Sequence, residues 1–331
     1  MKRWLAPAFL LSLVLPLAFP FFTSAHHGGI SLALGPGSPI ETNSPLTLPQ
    51  GGFVLSWRLE QVEWKERTFA EPTNKDSFTF MNVGLSYGLT PYLTGSLFLP
   101  YNIKRQDLLG STRGIGDIKF LLNLGFHYDP SIKGIRLNAA QDTAVALEET
   151  KKTYLSLFGG FTLPTGKNKK ELGGEVDPGM QPGFGSPTYT FGIAATRQLT
   201  RALTLAADTS YDIFTRKDRF KFGNEWRANL AGIYELFGKP EGVVSKIDGI
   251  LELNLLHIAR DEEGREKQRA TGGTILYLSP GLRFSFPKPL NGSLGLMLKF
   301  PTLKRLNEKD EQQGAEGLEK VRAIATLSIY F

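Results

Sequence analysis

The chain ends in the stretch VRAIATLSIYF, residues 321–331, in which apolar and polar side chains alternate. One face would carry Val321, Ala323, Ala325, Leu327, Ile329 and Phe331, and the other Arg322, Thr326, Ser328 and Tyr330. Because successive side chains of a strand point to opposite faces, this stretch predicts a β-strand with one apolar face. A final strand that ends on an aromatic residue is typical of an outer-membrane β-barrel, whose last strand pairs with its first to close the sheet.

The first 25 residues have the pattern of a secretory signal peptide. Lys2 and Arg3 precede an apolar run over residues 4–22, and the small residues Thr23-Ser24-Ala25 follow it. The alternative is an uncleaved anchor helix, since the run is just long enough to span a bilayer. Three prolines within the run would interrupt such a helix. We therefore predict cleavage after Ala25 and export to the outer membrane of a Gram-negative cell.

Composition fits a membrane barrel as well as a soluble protein. The 331 residues are enough for one large barrel or two ordinary domains, and the mean hydropathy of −0.15 would suit a soluble chain. A barrel has the same average because its strands alternate lipid-facing apolar and lumen-facing polar residues. The chain contains no cysteine, which excludes thiol catalysis and thiolate metal sites.

About twelve period-two segments follow Gly51, and they predict an all-β fold, a transmembrane antiparallel barrel over residues 51–331. An even strand number places both termini in the periplasm. The predicted periplasmic turns lie near residues 90–91, 199–201 and 287–290, and the predicted external loops at 65–76, 104–113, 164–187, 261–271 and 302–318. A water-soluble β-sandwich would also alternate, but the signal, the terminal aromatic residue and the alternation of short and long connections favour the barrel.

Three segments leave their conformation open. Residues 26–50 are rich in proline and glycine and predict an N-terminal extension, which lies in the periplasm or folds into the lumen as a plug. Residues 129–152 are long for a periplasmic connection, and either form a short helix over 138–152 or hide an extra strand within 135–147. The glycine-rich loop 164–187 folds inward as a constriction or outward as a lid.

Four short motifs resemble those of a known family. They are Tyr87-Gly88-Leu89-Thr90-Pro91-Tyr92-Leu93, Gly114-Ile115-Gly116-Asp117, Leu163-Pro164-Thr165-Gly166-Lys167 and Ser279-Pro280-Gly281-Leu282. In this order they resemble the MetA-pathway phenol-degradation proteins and generic outer-membrane transporters, over most of residues 50–331. The resemblance implies an outer-membrane barrel and the uptake of small, often hydrophobic, molecules. It implies no binding residue that can be carried over to this chain.

The alternating strands predict which charged side chains line the lumen. These are Arg58, Lys119, Asp208, Asp212, Arg227, Asp248 and Glu252. Their mixed signs would create a transverse field that orients polar solutes passing down their gradient. We therefore predict a channel for small solutes, hydrophobic or aromatic compounds included. The alternative is a narrow or plugged barrel with a structural or surface-interaction role.

Other chemistry has weaker signals. His26 and His27 would begin the mature chain, where a terminal amine and imidazoles can chelate Cu(II); otherwise the pair is an accident of the cleavage site. No other cofactor is predicted. His127 and His257 do not stand beside a serine in a hydrolase motif, and the chain has no Gly-x-Ser-x-Gly elbow. We predict a protein that is not an enzyme.

The net charge is +6, and basic residues cluster between the predicted strands. The basic clusters are Lys167, Lys169 and Lys170; Arg216, Lys217, Arg219 and Lys221; and Arg260, Arg265, Lys267 and Arg269. They are either solvated or in contact with the phosphates of lipopolysaccharide. The barrel-assembly machinery, which reads the final strand, is the other expected partner besides outer-membrane lipids and the solute. No basic helix is visible, so nucleic-acid binding is not predicted.

Overall fold

In the computed structural model, the described residues are 38–65, 76–107, 109–142, 152–239, 242–308 and 319–331, and all structural statements below refer to them. Nearly all of their regular structure is strand; the exception is one 3-10 turn at Ala140–Asp142. None of these residues belongs to a helix that is long and apolar enough to cross a membrane. The predicted signal peptide, residues 1–25, and the first part of the predicted extension, residues 26–37, lie outside the described residues.

The strands form one closed antiparallel barrel with twelve wall strands, as predicted. They are β1 Phe53–Trp64, β2 Ser77–Thr90, β3 Leu93–Gln106, β4 Gly110–Ile115, β5 Ile118–Asp129, β6 Gly134–Leu137, β7 Thr153–Leu163, β8 Thr188–Gln198, β9 Leu203–Phe214, β10 Phe220–Lys221, β11 Glu225–Gly238, β12 Lys246–Ile258, β13 Glu262–Glu263, β14 Glu266–Lys267, β15 Gly273–Phe286, β16 Gly292–Leu306 and β17 Glu319–Tyr330. Strands β4 and β5 pair in succession with the same edge of β3 and together make one wall strand. Strands β6, β10, β13 and β14 lie outside the count of twelve.

The barrel closes where β17 meets β1. Their register runs from Val54 opposite Tyr330 to Trp64 opposite Glu319. Beyond the last pair, the backbones of Phe53 and Phe331 exchange two hydrogen bonds, and their rings lie 5.7 Å apart. The alternating stretch at the end of the chain therefore forms the predicted closing strand.

Each wall strand has an apolar outer face and a largely polar inner face. On β12, Leu251 and Leu253 are 53% and 42% exposed, whereas Asp248 and Glu252 are fully buried. This is the reverse of a water-soluble sandwich, whose apolar side chains face its core. It is the arrangement expected when the outer face contacts lipid and the inner face lines a lumen.

Outer-membrane barrels have short periplasmic turns and long external loops, which distinguishes the two ends. The short turns join β2 to β3, β8 to β9 and β15 to β16, as predicted. The prediction of a loop at 104–113 was wrong, because β3 and β4 continue through it, with Lys104 paired to Thr112 and Arg105 to Ser111. Here the polar side chains hid a strand that extends beyond the barrel rim. Within 261–271, β13 and β14 form a hairpin that pairs with β10.

The long connection between β5 and β7 contains one short strand and one 3-10 turn. Strand β6 pairs with the end of β5, from Phe126 opposite Leu137 to Asp129 opposite Gly134. It uses the edge of β5 that β3 leaves free, since β3 begins only at Leu93, opposite Leu124. The predicted extra strand is thus four residues long. The predicted helix is a single turn at Ala140–Asp142, and residues 143–151 lie outside the described residues.

Candidate functional site

Two segments that are not wall strands lie against the interior of the barrel. We call residues 38–50 the luminal segment and residues 164–187 the mouth loop. Residues 42–48 of the luminal segment are all buried, although none of them belongs to a strand. The candidate functional site is the lumen together with these two segments.

Two carboxylates of the wall hold the luminal segment. Glu252 accepts hydrogen bonds from the backbone N–H groups of Ile40, Glu41 and Thr42, at 2.7, 3.0 and 2.8 Å, and from the Thr42 hydroxyl at 2.5 Å. Asp208 accepts one from the Asn43 backbone at 2.7 Å. A carboxylate that accepts several backbone N–H groups is well satisfied away from water. Both residues were predicted to line the lumen, and both carboxylates accept hydrogen bonds from the luminal segment.

The luminal segment begins and ends near the periplasmic end. Arg283, near the end of β15, donates to the Ser38 hydroxyl at 2.9 Å and also to the Pro39 carbonyl. At the other end, the Thr47 hydroxyl donates to the carbonyl of Pro91 in the β2–β3 turn at 2.5 Å. Between these contacts the segment reaches the middle of the lumen at Glu41.

An ion-pair network surrounds Glu41. Its carboxylate pairs with Arg58 at 2.5 Å and with Lys299 at 2.9 Å. Arg58 also pairs with Glu60 at 3.0 Å, and Arg322 links Glu60 to Glu319, each at 2.7 Å. Burial acts to raise the pKa of Glu41, but the charges of Lys299 and Arg58 outweigh burial and hold the pKa well below its usual value. Glu41 is therefore ionised at neutral pH.

A second charged group lies towards the external end. Asp212 pairs with Lys119 at 3.5 Å and with Arg227, and Arg227 also pairs with Glu225. The remaining predicted lining residue, Asp248, lies towards the periplasmic end and pairs with Lys246 at 3.0 Å. All seven predicted lining residues are thus turned inward, but in separate groups. Their contact with a passing solute stays a prediction.

The mouth loop folds inward, which decides between the two conformations left open by the sequence. Its Met180 side chain is fully buried in a cluster with Val62, Trp64, Phe78 and Phe80 of β1 and β2. Lys104, also fully buried, donates to the Gly179 carbonyl at 2.8 Å. The loop therefore crosses the external opening of the barrel.

Asp117, in the break between β4 and β5, ties this loop to the wall. It accepts hydrogen bonds from the backbone N–H groups of Gly166 at 2.7 Å, Phe184 at 2.6 Å and Gly185 at 3.4 Å. A side chain at Gly166 would place its Cβ 2.6 Å from the Gly116 carbonyl carbon. The Gly-Ile-Gly-Asp and Leu-Pro-Thr-Gly-Lys motifs thus meet here, one as acceptor and the other as donor.

A cavity of about 310 Å³ lies between the mouth loop and the β9–β11 connection. Its lining includes the apolar Val176, Pro178, Phe184, Phe220 and Phe222 and the charged Lys217, Asp218, Arg219 and Glu263. The ring of Phe184 lies 5.0 Å from that of Phe214 and 5.4 Å from that of Phe222. Phe184 and Phe214 also line an inner cavity of about 90 Å³ that reaches Asp212 and Arg227. An aromatic partition thus separates an outer from an inner space.

Sequence reasoning missed Asp117, Glu41 and Lys299 as parts of the site. Lys299 shares strand parity with Met297, and both are turned inward, so the alternation of β16 contains the signal for it. For Glu41 and Asp117, which lie outside regular strands, the sequence carries no comparable periodicity.

The histidines are dispersed. His127 is buried at the periplasmic end, 3.6 Å from Asp142, whereas His257 is exposed on the outer face. In the described part of the chain, no three His, Cys, Asp or Glu side chains form a group that could hold a metal ion. His26 and His27, the predicted copper ligands, lie outside the described residues.

A family model described as "Putative MetA-pathway of phenol degradation" matches residues 77–305. This range includes the mouth loop, Asp117 and ten of the twelve wall strands; only the last residue of β16, Leu306, lies beyond it. No curated protein matches the chain in sequence.

Three solved structures superpose on this chain to different extents. An outer membrane channel from Pseudomonas putida F1 superposes with a TM-score of 0.64 at 15% identity, covering 88% of this chain and 100% of that one. The porin NanC gives a TM-score of 0.46 at 9% identity, covering 83% and 98%. A Pseudomonas aeruginosa FadL homologue gives 0.41 at 11% identity, covering 90% and 95%. At these identities the likeness concerns the fold.

Proposed function

The chain belongs to the family described as putative MetA-pathway of phenol degradation, and we propose that it is an outer-membrane channel that passes small solutes by passive diffusion. Hydrophobic or aromatic compounds are among these solutes. The observation that carries the proposal is the closed barrel with an apolar outer face and charges of both signs inside. The solved neighbour from Pseudomonas putida F1, which shares the fold, is itself an outer membrane channel.

The cavities at the external end support an aromatic or hydrophobic solute. The outer cavity is within the size range of small-molecule sites, and its phenylalanines present ring faces and edges to an occupant. Phe184 borders both cavities, so a solute that displaces its ring would reach the charged groups of Asp212 and Arg227. Ring packing would favour capture, and the charges beyond would orient a polar substituent.

The second candidate is a barrel that stays plugged and has a structural or surface-interaction role. The specific observation in its favour is that the luminal segment and the mouth loop both occupy the lumen. A channel with this interior must move at least one of them. The two candidates therefore differ in whether these segments leave the positions that they occupy in the lumen.

Single-channel conductance in a planar bilayer distinguishes the two candidates. We expect discrete, ohmic openings from the purified mature protein, and more frequent openings after Glu252→Gln, which weakens the acceptor for three backbone N–H groups. Folding is checked by heat-modifiable mobility in a denaturing gel. A folded barrel that is silent in both forms would rule out the channel and favour the plugged barrel.

The inward placement of charged groups predicts two contrasting substitutions on β12. Asp248→Ala should change the ion selectivity of the open channel, because Asp248 is turned inward. Leu251→Arg should lower barrel stability by about 2–4 kcal/mol, because Leu251 faces lipid near mid-strand. Unfolding in urea measures the second, and the reversal potential in a salt gradient measures the first.

The remaining parts of the proposal concern location and partners. The signal pattern supports export with cleavage after Ala25, and the closing strand supports recognition by the assembly machinery. The basic loops support contact with lipopolysaccharide phosphates, although Arg216 is already paired with Glu262 at 2.6 Å. A copper site at His26 and His27 would be tested by Cu(II) titration of His26→Ala.

We propose no catalytic activity for this protein. The support is that buried carboxylates of the lumen are engaged in holding structure: Glu252 and Asp208 by backbone N–H groups, and Asp212 by Lys119. Turnover that disappears on mutation of one of these carboxylates would overturn this part of the proposal.

A further inference from the structure

Two wall cations converge on one carboxylate that does not belong to the wall. Arg58 on β1 contacts one oxygen of Glu41 at 2.5 Å, and Lys299 on β16 contacts the other at 2.9 Å. All three side chains are about nine-tenths buried. Each oxygen thus has its own cation, which is how a small carboxylate is bound tightly in a protein interior.

The cations have other partners that keep them in place. Arg58 also pairs with Glu60 at 3.0 Å, and the Lys299 ammonium lies 4.5 Å from the centre of the Tyr277 ring. The Nε atom of Arg58 is buried and has no hydrogen-bond partner among the described residues. Arg58 and Lys299, which we call the clamp, would therefore stay in place if the Glu41 carboxylate moved away, and Arg58 would have a donor to spare.

An apolar pocket adjoins the clamp. Ile40 is fully buried in a cluster with Ala206, Ala231, Ile233, Ile250, Met297 and Ile324. Gly281 and Gly295 leave room for it, since a Cβ atom at either position would lie 3.1 Å from the Ile40 side chain. Met297 precedes Lys299 by two residues on the same face of β16, so pocket and clamp are neighbours on the wall.

Hydrogen bonds and side-chain packing hold this part of the luminal segment, with no strand pairing to the wall. Ile40 and Glu41 together present an apolar group next to a carboxylate. We infer that the wall of the lumen contains a binding site for a small monocarboxylate with an apolar body, such as an aromatic acid, and that Ile40 and Glu41 occupy this site as an internal competitor. The inference rests on the proposed channel function, because it names a class of solute for the same lumen.

Calorimetric titration of the purified mature protein in detergent tests the inference, with benzoate as the probe and benzamide as its neutral counterpart. Glu41→Gln removes the carboxylate that Arg58 and Lys299 share, while Arg58 keeps its pair with Glu60. We expect this variant to bind benzoate at least tenfold more tightly than the unaltered protein does, and benzamide no more tightly. Adding Lys299→Gln should abolish the gain.

Two comparisons isolate the parts of the site. Glu262→Gln removes the same charge at the external surface, where Glu262 pairs with Arg216, and should leave benzoate affinity unchanged. Within Glu41→Gln, benzoate should bind at least tenfold more tightly than acetate, because only benzoate fills the apolar pocket. Equal affinities for the two would overturn the pocket, and a gain that survives Lys299→Gln would overturn the clamp.

Binding and conduction are measured separately, so the two proposals can fail separately. A folded protein that binds benzoate as expected but never conducts would overturn the channel and leave the site. A protein that conducts, while Glu41→Gln leaves benzoate affinity unchanged, would overturn the site and leave the channel.

Discussion

The luminal segment and the mouth loop fill opposite ends of the same barrel and are held by the same chemistry. In each case an inward carboxylate of the barrel accepts three backbone N–H groups: Glu252 from the luminal segment and Asp117 from the mouth loop. Backbone N–H groups supply these contacts, and the Thr42 hydroxyl adds one side-chain donor at Glu252. Many sequences could therefore occupy either seat, provided that their backbone N–H groups converge.

The two seats differ in what surrounds the carboxylate. At the mouth loop, glycine backbones are in contact, and Met180 lies within an apolar cluster. The luminal segment has no glycine of its own in residues 38–50 and packs closely against the wall glycine Gly88 near its end, but its central contact is the ion pair of Glu41 with Arg58 and Lys299. A solute carboxylate can replace an ion pair, but it cannot replace close backbone packing. The centre of the luminal segment is therefore suited to leave its position in the lumen, whereas the mouth loop is suited to stay.

The largest expected effect is the release of the mouth loop by Asp117→Ala. Each of the three N–H groups left without an acceptor costs about 1–3 kcal/mol, so the loop should detach. Trypsin should then cleave after Lys169 and Lys170 at least tenfold faster than in the unaltered protein. Glu266→Ala, which removes the same charge from the exposed strand β14, serves as the control and should leave the rate unchanged. An unchanged rate in Asp117→Ala would mean that Met180 and the glycines suffice to hold the loop.

A smaller effect is expected for the luminal segment. Glu252→Gln keeps one oxygen acceptor but removes its charge, and charge-assisted hydrogen bonds are roughly twice as strong as neutral ones. With Ser44→Cys as a reporter, buried in the unaltered chain, maleimide labelling should become several-fold faster. Asp248→Asn in the same background is the matched control, because Asp248 pairs with Lys246. Equal acceleration by both substitutions would show a general loosening of the barrel.

The barrel itself could be predicted because strand parity is a local property. Arg58 and Glu252 face inward for the same reason that Leu251 faces outward: their positions in a period-two pattern fix their side. The closing strand was likewise readable from residues 321–331 alone. Where strands continued beyond the barrel, as at Lys104 and Arg105, the same pattern was hidden by polar residues on both faces.

The positions of the luminal segment and the mouth loop could not be predicted, because they depend on contacts between residues that are far apart in the sequence. Ile40 and Glu252 are separated by 212 residues, and Asp117 and Phe184 by 67. Period and composition identified both segments as irregular and rich in proline or glycine. They contain no information on which wall carboxylate lies within reach, since that follows from barrel closure.

A still smaller effect is expected for Lys104→Met, at the contact between β3 and the mouth loop. The methionine can still pack against Phe78, but the Gly179 carbonyl loses its donor. Because the change also removes a buried ammonium, the net loss should be only about 1 kcal/mol. Trypsin cleavage after Lys169 should accelerate by about fivefold or less, below the effect of Asp117→Ala. A larger acceleration than in Asp117→Ala would make Lys104 the main tie of the mouth loop.

The smallest expected effect is that of mild acid on the luminal segment. The pKa of Glu41 is lowered on folding, so the stability that its ionisation contributes is present above its unfolded value of 4.5 and is lost as the pH falls through the folded value. Because the pKa of Glu41 in the folded protein is well below its usual value, protonation of Glu41 should not release the luminal segment between pH 8 and 5. Open probability in a planar bilayer should therefore be unchanged over this range in the unaltered protein. Openings that increase between pH 6 and 5 would mean that protonation of another carboxylate that holds the segment, such as Asp208 at Asn43, releases it while the ion pair of Glu41 is still formed.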